Sequence, residues 1–508
     1  MWGAALAYLP EYLGAHVLLS LSAMALGFAL SLPLAVVASR LPALRASALG
    51  IAGVIQTIPG LALLALFYPV LLGLSAFTQH SLGFGVPALG FLPAMLALTL
   101  YSILPVLRNT LTALAETDPA ILMAARAVGM TPWQSLWKVE LPLAAPFTMA
   151  GLRTASVWVI GTATLSTPVG QTSLGNYIFT GLQTENWVFV LFGCVAAAVL
   201  ALIVDRLLAL AEDGIALRSR TRLVAAALGL VLVIGASVMP LFAGAERPVI
   251  VGTKSFEEQY ILGALIEDRL RDAGYATARR DGLGSSIVFR ALQAGDVNVY
   301  VDYSGTLWAN EMHRTDMPGR EAVLKQLSAW LADRGVKDLG PLGFENAYAF
   351  AMRADEAKAL HIETLGDLAA YAPRLKIGGD FEIFGRPEWR AVAKAYRLRF
   401  AAQKQYQANF MYKALTDGAV DVITAFSSDG RIAQYGLKLL SDPKHALPPY
   451  DAVLLVSASF ANDGRFVSVL RPLIGTIDLA RMQRANLMVD AGHDKETPEE
   501  AARWLERR

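Results

Sequence analysis

Apolar residues are distributed along this chain in two regimes. From Met1 to about Gly244 they form long, nearly unbroken runs with few charges; from about Glu246 they recur in short groups among frequent charged residues. Six runs in the first regime, near 13–38, 48–74, 87–113, 141–166, 187–210 and 222–243, are each long enough to cross a bilayer core of about 30 Å, which takes roughly 20 helical residues. The second regime alternates strand, loop and amphipathic helix. Arg247–Gly252 reads as a buried strand and Glu257–Ala273 as a helix with apolar positions at helical spacing. This alternation predicts an α/β domain with mostly parallel strands, long enough for two lobes. The expected fold is an all-α polytopic membrane domain, 1–222, then a last transmembrane helix and linker, 223–246, then a two-lobed α/β domain, 247–508. Lobe 1 is expected at about 247–346 and 452–508, and lobe 2 at about 347–451.

Charges in the short loops orient the spans, because cytoplasmic loops carry the excess of Lys and Arg. Arg40 and Arg45, Arg126 and Lys138, and Arg218, Arg220 and Arg222 fall in alternate loops, which are therefore inside. The intervening loops 75–86 and 167–186 hold no Lys or Arg, so they and the C-terminal half are expected outside. The first run is too long for a signal peptide and lacks a basic segment ahead of it, so it reads as a span. A net charge of +1 removes the electrostatic argument for a nucleic-acid partner. The only cysteine, Cys194, excludes an intrachain disulfide and any Cys-based metal site, and reads as a small buried hydrophobe.

The loop between the third and fourth runs is distinctive. Asp118 and Pro119 suit the start of a short helix and Gly129 its end, and Leu141-Pro142 opens the next span. These residues resemble the permease subunits of ABC importers. Ala124, Ala125, Gly129, Leu141 and Pro142 match the family's cytoplasmic loop, while Met123 stands where the family usually has Glu. The resemblance implies a coupling helix over 118–142 that docks on an ATPase, and a homodimer of this chain. No G-x-x-x-x-G-K-[ST] phosphate cradle occurs, so ATP is expected to be used by a separate ATPase subunit, with no cofactor or metal in this chain. Gln56-Thr57-Ile58-Pro59-Gly60 and Gly161-Thr162-Ala163-Thr164 are also similar to osmoprotectant-importer permeases.

In the second half, Ala291–Tyr303 (ALQAGDVNVYVDY) aligns without gaps on Ala414–Phe426 (ALTDGAVDVITAF). Each copy reads as a helix end, a Gly, a strand and an aromatic residue at the strand's exit, which puts Tyr303 and Phe426 in equivalent places. A weaker pair joins Val251–Phe256 to Ile377–Glu382. Ligands of open α/β sheets bind where loops leave the carboxyl ends of strands, so two such lobes imply a cleft.

Around that cleft the chain resembles binding proteins for glycine betaine, choline and related osmoprotectants. The resemblance is carried by Lys254–Gln259, Asp302–Thr306, Phe344–Tyr348, Gly379–Glu382 with Arg386, Phe426–Arg431 and Pro448–Tyr450. It implies an aromatic cage of Tyr303, Tyr348, Phe426 and Tyr450 around a quaternary ammonium, which has no N–H and is held by ring faces. Phe426 departs from the more usual Tyr. Arg386 is the leading partner for a solute carboxylate, with Lys254 and Thr306 at the family's carboxylate-side positions and Gln259 and Asn346 adding hydrogen bonds. The expected function is an ABC permease and its binding protein in one bacterial inner-membrane chain, with the binding domain periplasmic. The solute is glycine betaine, choline or another betaine such as carnitine, proline betaine or ergothioneine. A membrane-tethered sensor is the alternative, disfavoured by the coupling-loop match. An enzyme is disfavoured because no nucleophile or metal constellation stands out.

Overall fold

A computed structural model describes residues 2–82, 85–184, 186–242, 248–314, 316, 318–490 and 495–507; the linker expected at about 243–247 lies outside the described residues. The chain divides into two compact units, Trp2–Phe179 with Val188–Ala245, and Glu246–Arg508 with Thr180–Trp187.

The first unit is helical. Helix α1 spans Trp2–Arg40, α2 Pro42–Thr57, α3 Gly60–Leu82 and α4 Phe91–Ala115. Then come α5 Pro119–Ala127, α6 Leu141–Ala163, α7 Gly175–Gln183, α8 Trp187–Ala216 and α9 Arg220–Phe242. Among the described residues five helices are long and apolar enough to cross a membrane, or six if the bent pair α2 and α3 is one span. That pair corrects the expected span at 48–74, since its halves meet at 103°. Pro59 has no N–H and pushes the residue before it out of the helical region, and Ile58 is extended at φ −71°, ψ 127°. The backbone freed by the break is satisfied from α4, where the Tyr101 hydroxyl donates to the Ile58 carbonyl. A Cβ on Gly60 would lie 3.1 Å from Thr162 Cγ2, so the two short segments resembling osmoprotectant permeases meet at this break.

Leu19, Ala23, Leu98 and Val159 pack α1, α4 and α6 into one core. Cys194 corrects another expectation. It is exposed, on the outward face of α8 with Leu191 and Val195, because that helix is apolar on faces that no other helix covers. Helix α7 lies within 167–186, where only an outside loop was expected.

The loop after α4 forms the short helix expected of it. The Asp118 side chain accepts from the Ala120 amide, Pro119 opens α5, and Gly129 follows its end at φ +82°. Ala124 is exposed and Ala125 buried on α5, and Leu141 and Pro142 form the first turn of α6. Met123 is exposed, with Ile121 and Val128. Helical turns at 132–140 lead into α6, where Glu140 accepts from Arg40 at 2.5 Å and ties this loop to the end of α1.

The second unit contains two five-stranded sheets. The strands are β1 Val249–Lys254, β2 Thr277–Leu283, β3 Val299–Tyr303, β4 Lys337–Glu345 and β5 Tyr348–Arg353. They continue as β6 Lys376–Gly379, β7 Ala402–Gln405, β8 Val422–Phe426, β9 Leu437–Leu440 and β10 Asp451–Val456. The orders are β2-β1-β3-β10-β4 and β7-β6-β8-β5-β9. In each sheet four strands run one way, and only the strand entered at a crossing between sheets, β10 or β5, runs against them.

Both sequence repeats appear as one structural repeat. Val251 of β1 pairs with Val299 of β3, as Ile377 of β6 pairs with Val422 of β8. Asn298 accepts from the Ile250 amide, and the aligned Asp421 accepts from the Lys376 amide. Gly295 and Gly418 sit at φ +81° and +73°, a region that L side chains enter at a cost, which is why both copies keep glycine there.

Candidate functional site

The aligned strand exits place Tyr303 at the end of β3 and Phe426 at the end of β8, one in each lobe. Phe256, two residues beyond β1, joins them: its ring is 6.1 Å from that of Tyr303 and stacks on Phe426 at 6.2 Å and 3°. Tyr348, opening β5, lies 5.1 Å from Phe426, and Tyr450, just before β10, meets Tyr348 edge to face at 5.7 Å. Five rings therefore form a continuous wall from lobe 1 into lobe 2 and back to the second crossing. Mutual contact holds the rings together, and their quadrupoles suit the wall to a soft cation. Phe256 was not among the expected cage residues; its place in the Lys254–Gln259 match is the signal that could have found it.

Buried polar groups hold the rings. The Tyr303 hydroxyl donates to Glu258 at 2.5 Å and accepts from Gln259 Nε2 at 2.9 Å. Glu258 also accepts from Asn346 and Asn486. Burial pushes its carboxyl above the ordinary range, and those donors pull it back. The Tyr348 hydroxyl donates to Asp380 at 3.0 Å, and that of Tyr450 to Glu388 Oε1 at 2.7 Å. Gly305 lies against Tyr450, where a Cβ would be 2.8 Å from ring carbons. Thr306 is buried on the same turn.

Lys254, Gln259, Asn346 and Arg386, expected around a solute carboxylate, each have partners within the protein. Lys254 is ion-paired to buried Asp302 and its Nζ lies 5.2 Å from the Tyr303 ring centroid, so its charge is already engaged behind the wall. Gln259 bridges the Lys254 amide and Tyr303, which makes it a support for the Tyr303 ring. Asn346 keeps its Oδ1 without a partner among the described residues. Arg386, buried beside Tyr348, donates to Glu382 at 2.8 Å and to Glu388 at 3.4 Å, and reaches across to Ser285 of lobe 1. It lines a cleft of about 500 Å³ with Ser285, Asn310, His313, Glu382 and Pro387. Glu388, fully buried, has its Oε2 unpartnered among the described residues. No spacing signal pointed to Glu388, because it reads as a helical acid after Arg386-Pro387.

Residues 247–507 match the family described as the substrate binding domain of ABC-type glycine betaine transport systems. Residues 27–217 match the binding-protein-dependent transport system inner membrane component. Across both parts, the chain is 29% identical over 465 residues to the ergothioneine transport permease/ergothioneine binding protein EgtU of Helicobacter pylori, covering 88% of this chain and 81% of that one. Its membrane part is 40% identical over 197 residues to the choline transport system permease protein OpuBB of Bacillus subtilis, 39% of this chain and 83% of the relative. Its second half is 29% identical over 265 residues to a glycine-betaine-binding protein of Pseudomonas aeruginosa, 50% of this chain and 85% of that one. These relatives are transport proteins of both kinds that the two units represent. The chain belongs to the glycine betaine-type ABC transport family, as an inner-membrane permease and its substrate-binding protein fused in one polypeptide.

Proposed function

We propose that the solute is a quaternary ammonium compound that also carries an N–H or O–H donor, held with its methylated cation against the aromatic wall. The observation that carries this reading is the unpartnered Glu388 Oε2, buried beside Tyr450 and Arg386. A buried acceptor left unpaired costs about 1–3 kcal/mol, or roughly ten- to hundredfold in affinity. Glycine betaine and proline betaine, fully substituted at nitrogen and bearing only a carboxylate, leave it unpaired. Choline and carnitine offer a hydroxyl, and ergothioneine a ring N–H. Ergothioneine is the leading candidate, because the relative matching both units is named for its transport. The wall supplies the cation contact, and Arg386 takes a solute carboxylate by exchanging Glu382, whose side chain is 48% exposed.

In this reading the binding domain is periplasmic and the 118–142 loop faces the cytoplasm. Ala124, Ala125, Gly129, Leu141 and Pro142 shape the surface that docks on a separate ATPase, with two copies of the chain forming the pathway. A calorimetric panel on the detergent-solubilised full chain tests the solute, with ergothioneine, choline, carnitine, glycine betaine and proline betaine. Donor-bearing solutes are expected to bind about tenfold or more tightly than the donorless betaines. Equal affinity across the panel sinks the role given to Glu388. Glu388→Gln should reverse the ranking, because its amide opposes a solute donor and Arg386 loses a competing carboxylate.

A further inference from the structure

Directly behind the stacked rings Phe256 and Phe426 lies a charge cluster that contact with a solute does not explain. The segment leaving β8 carries Asp429 and, at the start of a short helical turn, Arg431, and Glu257 opens helix α10, Glu257–Asp272. Two more helices close the cluster: α11, Ala408–Thr416, with Tyr412, and α12, Leu479–Asp490, with Asn486 and Asp490. Arg431 donates to Asp429 through Nε at 2.9 Å and Nη2 at 2.6 Å, and to Glu257 at 2.6 Å, and its Nε lies 3.5 Å from Asp490. The guanidinium rests 4.4 Å from the Tyr412 ring centroid. Glu258 and Tyr260 on α10 are the other titratable groups nearby; Glu258 already receives the Tyr303, Asn346 and Asn486 donors.

Three carboxylates within 4.8 Å of one another face one guanidinium, and all four side chains are at most 7% exposed. Fully ionised, the cluster holds two uncompensated negative charges in a dry site, at several kcal/mol each. A metal ion has no room, because Arg431 Nη2 already stands within 2.6 Å of both Glu257 and Asp429. Both Asp490 oxygens and Glu257 Oε2 lack a hydrogen-bond partner among the described residues. We propose that this is a proton-binding site, in which Asp490 holds a proton donated to Glu257, and that this proton, by keeping Asp490 from repelling Asp429, lets Arg431 latch the two lobes together behind the wall.

Burial pushes Asp490 well above the ordinary carboxylate range and raises Glu257 as well. With Asp490 neutral, one negative charge remains, on Glu257 in the first turn of α10, where the helix dipole favours it. The latch spans both lobes. Glu257 and Asp490 belong to lobe 1, Asp429 and Arg431 to lobe 2, and a Cβ on Gly430 would meet the Gln483 carbonyl at 2.7 Å. Since Glu257 follows Phe256 and Asp429 follows Phe426 by three residues, ionising Asp490 sets like charges against each other at the base of both rings. A carboxyl whose folded pKa is raised binds more protons folded than unfolded. Stability is therefore lost as pH rises from the ordinary carboxyl range through the raised value.

The link to solute rests on the cage reading, so two readouts separate them. In the ligand-free full chain, the unfolding temperature of wild type should fall as pH rises above the ordinary carboxyl range. Asp490→Asn, whose amide donates permanently to Glu257, should abolish that dependence, and Glu257→Gln should do so from the other side. Ergothioneine affinity of wild type should weaken about tenfold per pH unit above the site's pKa, while Asp490→Asn stays flat. Parallel melting profiles for wild type and both variants overturn the proton site. Flattened melting with an unchanged alkaline loss of affinity overturns the latch. Absence of ergothioneine binding at neutral pH counts against the solute assignment and leaves the melting comparison to decide the proton.

Discussion

Tyr450→Ala is expected to weaken solute binding by about a hundredfold or more in calorimetry on the full chain. The ring is 2% exposed and closes the aromatic wall against Tyr348, so truncation removes up to about 2 kcal/mol of desolvated cation–π contact. It also strips Glu388 of the Tyr450 donor, adding about 1–3 kcal/mol for a buried acceptor. Together these reach roughly the 2.7 kcal/mol that a hundredfold change requires. The backbone of this residue matters too, because the Asn346 amide donates to the Tyr450 carbonyl and joins the two crossings between lobes. Tyr450→Phe separates the effects, keeping the ring and losing only the hydroxyl, and should cost about tenfold. Wild-type affinity in the alanine variant would remove Tyr450 from the site. Equal losses in both variants would move its weight from ring to hydroxyl.

How much of this was legible in the chain depends on what each residue's neighbours in sequence reveal. The repeat was legible because strand, glycine and exit ring are local: Gly295 and Gly418 mark the same backbone bend, and Tyr303 and Phe426 follow at the same distance. The short helix at Pro119–Ala127 was legible for the same reason, through its cap and its glycine. The break at Ile58-Pro59 was readable as a proline but not as a 103° bend, because its freed carbonyl is satisfied by Tyr101, 43 residues away. Cys194 was misplaced because an apolar run looks the same whether its faces meet protein or lipid. The engagement of Lys254 by Asp302, and the unpaired oxygen of Glu388, are products of tertiary packing with no periodicity to announce them.

Arg153 was passed over in the sequence, and Arg153→Leu is expected to lower both the melting temperature and the yield of folded transporter. On α6 its guanidinium forks onto Asp205 of α8 at 3.0 and 3.2 Å and reaches Glu212 at 2.9 Å. Asp205 and Glu212 are seven residues apart, two turns on one helix face, so a single arginine answers both. Lysine, without the fork, should restore only part of the stability. Removing the arginine leaves two part-buried carboxylates, 22% and 26% exposed, without their cation, at about 1.5–3 kcal/mol for a lost charge-assisted hydrogen bond, a large share of the margin by which folded chains are stable. Charge is the cause only if removing it everywhere repairs the loss. Arg153→Leu combined with Asp205→Asn and Glu212→Gln should therefore recover a monodisperse peak in detergent and a near wild-type melting temperature. A single Arg153→Leu variant that melts like wild type would show that the triad does not brace α6 against α8. A triple variant as unstable as the single one would shift the cause from charge to packing by the long Arg153 side chain.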